Sequence, residues 1–271
     1  MDRRLLVTKN CRHGRLTYLR TDTIIGRSLD LYGEWSEGEI ILFHRLLSTG
    51  DVVLDVGANI GTHTLALSHI VASSGMVYAF EPQPLIFNIL SENIEANGLT
   101  NVSASCAAVG ANDGQTCIPL VDYSVPGNFG EVAAGSGTLE VPLIAIDGLN
   151  LVRANLIKID AEGAESDVLQ GAAKTIVRCR PNLYVENNTV EKSASLVALI
   201  RSMGYKVWWH LSARFNQFNF AGNRNVVLPG FDPNVVCLPA EKSAPPWPLM
   251  EVADGSEINR LYELIDRQSS S

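Results

Sequence analysis

The stretch VVLDVGANIGTHTLAL, residues 52–67, decides the fold class, because it reads as a buried strand that ends in a carboxylate and continues through two glycines into a helix. Four residues at this junction set it apart from a simple turn: Asp55, Gly57, Asn59 and Gly61. Glycines remove Cβ atoms where a ligand must approach the backbone, and the N-terminus of the following helix offers unpaired N–H groups. The junction therefore predicts a binding site at the end of a first strand.

Strands and helices alternate downstream of this stretch. The predicted strands are MVYAFEP (76–82), VSASCAAVG (102–110), NLIKIDAEG (155–163), NLYVENN (182–188) and YKVWWHLS (205–212). The predicted helices are PLIFNILSENIEANG (84–98), AESDVLQGAAKTIV (164–177) and SASLVALIRSMG (193–204). Such alternation indicates a mainly parallel sheet with helices on both faces, and ligands of these sheets bind at the carboxyl ends of the strands.

The remaining segments suggest a division of the chain into three parts. Residues 1–35 alternate short apolar runs with turn residues and predict an N-terminal β-hairpin that acts as a flap or edge. Residues 36–240 form the main domain, which opens with a helix from Ser36 to Gly50 and ends, over 215–239, in a hairpin that completes the sheet edge. Residues 241–271 predict a Pro-rich linker and a short C-terminal helix.

Composition narrows the class of protein. The chain has 271 residues, is 46% hydrophobic and lacks an apolar run long enough for a membrane span or a signal peptide, so a cytoplasmic protein without a membrane partner is expected. Its five cysteines are scattered and form no C-x-x-C pair, which argues against a zinc site or a disulfide framework. A formal net charge of -8 argues against a nucleic-acid partner and favours a small-molecule or glycan substrate.

The spacing of the glycines argues against a dinucleotide site. That site needs G-x-G-x-x-G, whereas here Asn59 replaces the middle glycine and Asp55 puts negative charge where a pyrophosphate would lie. Glu81 ends the next strand, where nucleotide-binding α/β folds carry a carboxylate that binds a ribose. Two carboxylates therefore predict an adenosine-bearing, cationic ligand, and S-adenosylmethionine fits this description.

Four motifs resemble the FkbM family of S-adenosylmethionine-dependent methyltransferases: DVGANIG (55–61), AFEP (79–82), AAVG (107–110) and IKIDAEGAE (157–165). The lead-in IIGRSLDLYGEWSEGE (24–39) resembles the family's segment before the first motif, and the likeness spans roughly residues 10–240. It implies a class I methyltransferase (Rossmann-like) fold with seven strands. It also implies methyl transfer to a hydroxyl oxygen of a small molecule, natural product or sugar.

The motifs and the resemblance together suggest residues for each role. The expected cofactor-binding residues are Glu37, Asp55, Gly57, Asn59, Gly61, Glu81, Ala107 and Asp160. Asp160 is expected to face the sulfonium and the substrate, Glu162 to position the acceptor or assist proton removal, and Glu186 to serve as a second candidate base. His63, Trp209 and His210 are expected to contact the substrate, although the aromatic residues of this region serve equally well as core packing.

No metal site is expected. Asp160, Glu186 and Asn187 are spaced rather like the D…D-N ligands of catechol-type methyltransferases, but Glu186 replaces the first Asp of the pair and Lys158 could supply part of the cation's charge. Alternatives within the fold are an N-methyltransferase and a Mg²⁺-dependent O-methyltransferase. More distant ones are an NAD-dependent oxidoreductase and a non-catalytic nucleotide-binding domain. The sequence does not identify the methyl acceptor or the pathway, and it is compatible with both a monomer and a homo-oligomer.

Overall fold

The computed structural model describes residues 3–242, 245 and 248–262, and its centre is a seven-stranded sheet. In spatial order the strands are β11 (Tyr205–Ala213), β12 (Phe231–Pro239), β10 (Asn182–Glu186), β9 (Leu156–Ile159), β3 (Val52–Val56), β4 (Met76–Phe80) and β5 (Val102–Ser105). The pairs between β10 and β5 are all parallel, whereas β12 is antiparallel to both of its neighbours. This confirms the predicted α/β class with a mostly parallel sheet.

The last strand corrects the prediction for residues 215–239. Residues 215–239 supply a loop and a single strand, β12, which pairs antiparallel with β11 at the end of the sheet. The inner strand of this pair is β12, which lies between β10 and β11 and leaves β11 at the edge. Val235, Val236 and Cys237 are fully buried. A continuous apolar run of this kind belongs to a strand that is covered on both faces, so it occupies an interior position.

Helices cover both faces of the sheet. They are α1 (Ile25–Tyr32), α2 (Glu37–Leu46), α3 (Thr62–Val71), α4 (Pro84–Ala96), α5 (Glu165–Gly171), α6 (Ala173–Cys179) and α7 (Val190–Ser202). Successive residues of β3 enter different clusters, because side chains alternate along a strand. Val53 packs with Phe43 of α2 and Val71 of α3, whereas Leu54 packs with Val168 of α5 and Val197 of α7.

The helix predicted over 84–98 agrees closely with α4. Ile86, Ile89, Leu90 and Asn93 form its buried face, Pro84 is its first residue, and Gly98 follows it with a φ of +61°. By contrast, the helix predicted over 164–177 is divided into α5 and α6. A Cβ on Gly171 would lie 2.0 Å from the carbonyl oxygen of Gly110, so the backbone comes unusually close at this break.

The N-terminal hairpin predicted within residues 1–35 is present as β1 (Leu6–Cys11) and β2 (Gly14–Leu19), which pair antiparallel. Leu16 and Tyr18 are buried with residues of α3 and α4, so the hairpin is packed onto the body of the protein. Helix α1 also lies within this segment and was not predicted.

A second, three-stranded sheet lies outside the predicted alternation. Its order is β6 (Ala108–Val109), β8 (Leu139–Ile144) and β7 (Gly114–Ile118). The strand predicted over 102–110 is therefore divided, since β5 belongs to the main sheet and β6 to the small one. The segment 115–150 shows no regular pattern in the sequence, yet it contains β8 and all of β7 except Gly114.

The predicted linker after residue 240 falls partly outside the described residues, which omit 243–244, 246–247 and 263–271. Within 248–262, Val252, Ile258 and Leu261 are buried in the main core, and residues 258–262 are helical. This part of the tail is therefore packed against the domain. No helix in the described ranges is both long and apolar enough to cross a membrane.

Candidate active site

A cavity of about 570 Å³ lies at the carboxyl ends of the central strands. Gly57 follows β3, Glu81 follows β4, Asp160 follows β9 and Glu186 ends β10, and all four line the cavity. The strand ends bring these residues together from positions far apart in the sequence. This is the location where open, mostly parallel sheets bind their ligands.

The glycine turn is shaped by close backbone contacts. Gly57 has a φ of +75°, and a Cβ added to it would lie 1.8 Å from the carbonyl oxygen of Asp160, so no larger residue fits. Asn59 also adopts a positive φ, of 49°, and lines the cavity. Gly61 precedes α3 with a φ of +93° and does not line the cavity; its contribution is to the backbone of the turn.

Glu81 presents a buried carboxylate to the cavity. It is 3% exposed and accepts hydrogen bonds from the backbone N–H groups of Asn59 (3.0 Å) and Gln83 (2.9 Å). Burial raises the pKa of Glu81 to about 7 despite these two donors. Each carboxylate oxygen has a second lone pair, so the group can still accept two hydrogen bonds from a ligand.

Asp55 does not reach the cavity surface, which corrects the expectation that it contacts the cofactor directly. It is fully buried, accepts a hydrogen bond from Thr64 Oγ1 (2.7 Å) and lies 3.3 Å from Lys158 Nζ. The Lys158 ammonium also lies 3.3 Å from Asp160 Oδ2. Burial alone would lower the pKa of Lys158, but the carboxylates of Asp160 and Asp55 outweigh it and raise the pKa above its ordinary value.

Three carboxylates of the cavity lining lie close to one another. Asp160, Glu162 and Glu186 each place an oxygen within 4.8 Å of the other two. Burial, followed by the charge of Asp160, raises the pKa of Glu162 to about 8 and raises that of Glu186 well above its ordinary value. Both glutamates therefore hold a proton more tightly than an exposed glutamate does.

The expected cofactor contact of Glu37 is not supported by its position. Glu37 is the first residue of α2, lies outside this cavity and contacts His13 Nε2 at 2.7 Å. Glu39, two residues later, faces the cavity, because a two-residue step turns a helical side chain to another side. Its Oε2 lies 3.1 Å from Nε2 of His63, which also lines the cavity.

Trp209 and His210 are not among the residues that line the cavity, so their positions do not support the expected substrate contacts. Trp209 is 2% exposed and donates from Nε1 to Glu257 in the C-terminal segment. His210 Nδ1 lies 2.8 Å from the hydroxyl of Tyr184. Both residues belong to β11, which β12 separates from the central strands.

Several lining residues carry no signal in the sequence. Among them are Gln83, Glu131, Arg214 and Asp232. Arg214 donates from Nε and Nη2 to Asp232 Oδ1, and both residues lie next to the loop that precedes β12. Gln83, Glu131 and Arg214 lie in connecting segments and Asp232 is the second residue of β12, so no periodic pattern in the sequence marks these four residues. Ala107, which sequence reasoning did select, lies on the cavity wall.

The sequence profile of the "Methyltransferase FkbM domain" matches residues 55–207, which include the strand ends just described. The chain belongs to the FkbM methyltransferase family. Outside the match lie the N-terminal hairpin, α1, α2 and β12. The FkbM domain therefore covers Gly57, Glu81 and the three clustered carboxylates, but not Glu39 or Arg214.

The chain is also similar to individual known proteins. The hexuronic acid methyltransferase AglP of Haloferax volcanii is 30% identical over 56% of this chain, and the match spans 62% of that relative. Methyltransferase 1 of Beauveria bassiana is 27% identical, over 57% of this chain and 72% of its own length. A crystal structure of Methyltransferase FkbM from Methylobacillus flagellatus superimposes with a TM-score of 0.48 at 18% identity, over 71% of this chain and 44% of that one.

Proposed function

We propose that this FkbM-family protein is an S-adenosylmethionine-dependent methyltransferase that methylates a hydroxyl oxygen of a small molecule, a natural product or a sugar. The observation that carries the proposal is that one cavity is lined both by a buried carboxylate suited to a ribose and by a cluster of three carboxylates. The buried Glu81 carboxylate lies at the end of β4, and the cluster of Asp160, Glu162 and Glu186 lies beyond Gly57. The first suits a ribose and the second a cationic, proton-releasing reaction centre.

The charges of the cavity support a cationic cofactor. Among the residues that the structure describes, seven carboxylate side chains line the cavity against a single arginine, and that arginine is paired with Asp232. Because their raised pKa values let Glu81, Glu162 and Glu186 hold protons near neutral pH, the lining is acidic without being fully charged. It still presents oxygen acceptors and, among the described residues, no lysine and no arginine other than Arg214, which suits the sulfonium and ammonium groups of S-adenosylmethionine. It repels the pyrophosphate of a nicotinamide dinucleotide, which weighs against the oxidoreductase alternative.

Glu81 is the residue that would hold the ribose. Its two oxygens have free lone pairs beside the bonds from Asn59 and Gln83, so two hydroxyl groups can donate to it. Asn59 and Gly57 would line the path of the methionine portion, and Ala107 would form part of the adenine wall. When it is bound, S-adenosylmethionine supplies a methyl group that is already activated by the sulfonium.

The chain's remaining task is to orient the acceptor oxygen and accept its proton. Glu162 suits this role, because a pKa of about 8 is close to neutral pH and a general base works best there. Glu186 is the second candidate. Lys158 is a positioning residue, since its ammonium holds the Asp160 carboxylate at 3.3 Å without lining the cavity itself.

The proposed acceptor is a hydroxyl group of a sugar. The relative from Haloferax volcanii is a hexuronic acid methyltransferase, which favours a sugar hydroxyl as the first acceptor to test. His63 lines the cavity and stays the candidate substrate contact from the sequence. Nitrogen acceptors on the same fold, and a cytoplasmic location without nucleic-acid or membrane partners, stay predictions.

Calorimetric titration with S-adenosylhomocysteine, S-adenosylmethionine and NAD tests the cofactor. We expect both sulfur ligands to bind and NAD not to bind. Glu81→Ala should weaken S-adenosylhomocysteine binding by about 2 kcal/mol or more, because two charge-assisted hydrogen bonds are lost. Glu95→Ala removes the same charge from the exposed side of α4 and serves as the control. Tight NAD binding, or an unchanged affinity in Glu81→Ala, would refute the assignment.

Methyl transfer itself is tested with radiolabelled S-adenosylmethionine and a panel of sugars, uronic acids and amines. Label that appears in a hydroxyl-bearing acceptor supports the proposal. Label that appears only in amines would identify an N-methyltransferase. Cofactor binding without transfer to any acceptor would favour the non-catalytic alternative.

A further inference from the structure

The carboxylates of Asp160, Glu162 and Glu186 are closer together than their charges alone would allow. One oxygen of each lies within 4.8 Å of the others, at the end of β9, in the turn after it and at the end of β10. Like charges at this spacing repel one another strongly in a partly buried site. Something with positive charge must therefore balance them, whether a proton, a metal ion or a cationic ligand.

Glu186 adds a second, independent observation. Its Oε1 accepts a hydrogen bond from Asn188 Nδ2 (2.6 Å), whereas its Oε2 has almost no exposed surface and no hydrogen-bond partner within the described part of the chain. Buried carboxylate oxygens are almost always satisfied in folded proteins. Glu186 also lines the cavity, and its carboxyl group comes within hydrogen-bonding range of the Asp160 carboxylate. Two carboxyl oxygens can lie this close only with a proton or a cation between them, so Oε2 of Glu186 points to a shared positive charge at this place.

The nearby cations are already engaged. Lys158 lies 3.3 Å from Asp55 and 3.3 Å from Asp160, so its single charge is shared by two carboxylates. Arg214 lies 2.6 Å from Asp232. Neither cation is paired with Glu162 or Glu186. A third cation, Lys192, donates to the carbonyl oxygen of Gly163, next to Glu162, at 2.9 Å, and it forms no ion pair with the three carboxyl groups in the described part of the chain. The cluster therefore has more carboxyl groups than directly paired positive charges.

We propose that Asp160, Glu162 and Glu186 bind a divalent cation such as Mg²⁺ or Mn²⁺ through one carboxylate oxygen each. Hard divalent cations prefer oxygen ligands, and three protein ligands leave octahedral positions for water and for an acceptor oxygen. This ligand set differs from the one that the sequence suggested and rejected, because Glu162 takes the place of Asn187. The proposal does not depend on the identity of the methyl donor.

The principal rival is a proton instead of a metal. Burial and the charge of Asp160 raise the pKa of both glutamates, so a proton shared among the carboxyl groups could also neutralise the cluster. The two explanations predict opposite effects of an amide. Glu186→Gln would keep a hydrogen bond to a neighbouring carboxylate and so replace a shared proton, whereas it would remove a charged ligand from a metal.

The test uses the full chain, treated with chelator and dialysed, and Mn²⁺ alone as the probe. Free Mn²⁺ is measured by electron paramagnetic resonance during a titration. We expect one saturable site, and we expect Glu186→Gln and Glu162→Gln each to weaken it by about tenfold or more, because each removes a charged ligand. Glu131→Gln is the matched control, since it removes a charge from the same cavity outside the cluster and should change the affinity by less than about threefold.

Three results would overturn the proposal. These are no saturable binding at millimolar Mn²⁺, unchanged affinity in both cluster variants, and equal weakening by Glu131→Gln, which would indicate a general charge effect. Circular dichroism and S-adenosylhomocysteine binding confirm that each variant is folded. Because the probe is the metal without any cofactor, failure of this test leaves the proposal of S-adenosylmethionine binding intact.

Discussion

Lys158→Met should destabilise the protein strongly, because it leaves a buried carboxylate without its cation. Asp55 is fully buried, and its Oδ1 has the Lys158 ammonium, 3.3 Å away, as its ion-pair partner, whereas Thr64 satisfies only the other oxygen. Removal of one member of a buried ion pair costs about 3–5 kcal/mol. Asp160 also loses a partner, but its side chain is 40% exposed, so solvent limits that contribution to less than about 1 kcal/mol.

Urea unfolding followed by circular dichroism measures this effect. The loss of about 3–5 kcal/mol should appear as a lower midpoint, together with a fall in melting temperature of roughly 10 °C. Lys206→Met is the control, because Lys206 is an exposed lysine of β11 and should cost less than about 0.5 kcal/mol. Asp55→Asn combined with Lys158→Met should recover part of the loss. A single variant that loses less than about 1 kcal/mol would refute the view that Lys158 neutralises a buried charge.

Three further predictions concern the cavity. Gly57→Ala should lower the free energy of unfolding in urea by about 2 kcal/mol or more, because its Cβ would lie 1.8 Å from the Asp160 carbonyl oxygen. The control Gly98→Ala, whose Cβ would meet nothing within 4 Å, should lower it by about 1 kcal/mol. Equal losses in the two variants would contradict the close contact at Gly57. The free energy of unfolding should fall between pH 5 and pH 8. The pKa of Glu81 is raised to about 7 in the folded protein, so protonated Glu81 stabilises the fold at low pH, and this contribution is lost as the pH rises through about 7. Glu81→Gln should reduce the fall, and an unchanged pH profile in that variant would contradict the prediction. Asp160→Asn should lower methyl-transfer turnover about 100-fold with S-adenosylhomocysteine affinity nearly unchanged, and an active variant would show that this carboxylate only shapes the turn.

Local signals in the sequence predict the central strands and helices well. The run from Val52 to Gly57 is apolar and ends at glycine, and it forms β3 followed by a turn with positive φ. The buried face of α4 follows directly from its apolar spacing. These features depend on neighbours within a few positions, so a single sequence contains most of the information that fixes them.

Features that depend on distant contacts were not predictable in the same way. The position of β12 between β10 and β11 follows from pairing across the whole domain, and no local pattern encodes it. The choice between Glu37 and Glu39 depends on the exact rotation of α2, because a shift of two residues moves a carboxylate from its contact with His13 into the cavity. Local sequence patterns therefore do not determine the exact ends of the strands and helices, or which side chains of a helix face the cavity.

The role of Asp55 illustrates how burial divides a charged motif between structure and chemistry. The sequence presents Asp55 and Asp160 as two similar carboxylates at strand ends, yet the first is fully buried and the second has a side chain that is 40% exposed. Lys158 lies between them and contacts both. Since an unpaired buried charge is costly, Lys158 stabilises the fold by pairing with Asp55, and the same ammonium lies 3.3 Å from Asp160 beside the cavity. One buried lysine therefore links the stability of the turn after β3 to the geometry of the proposed reaction centre.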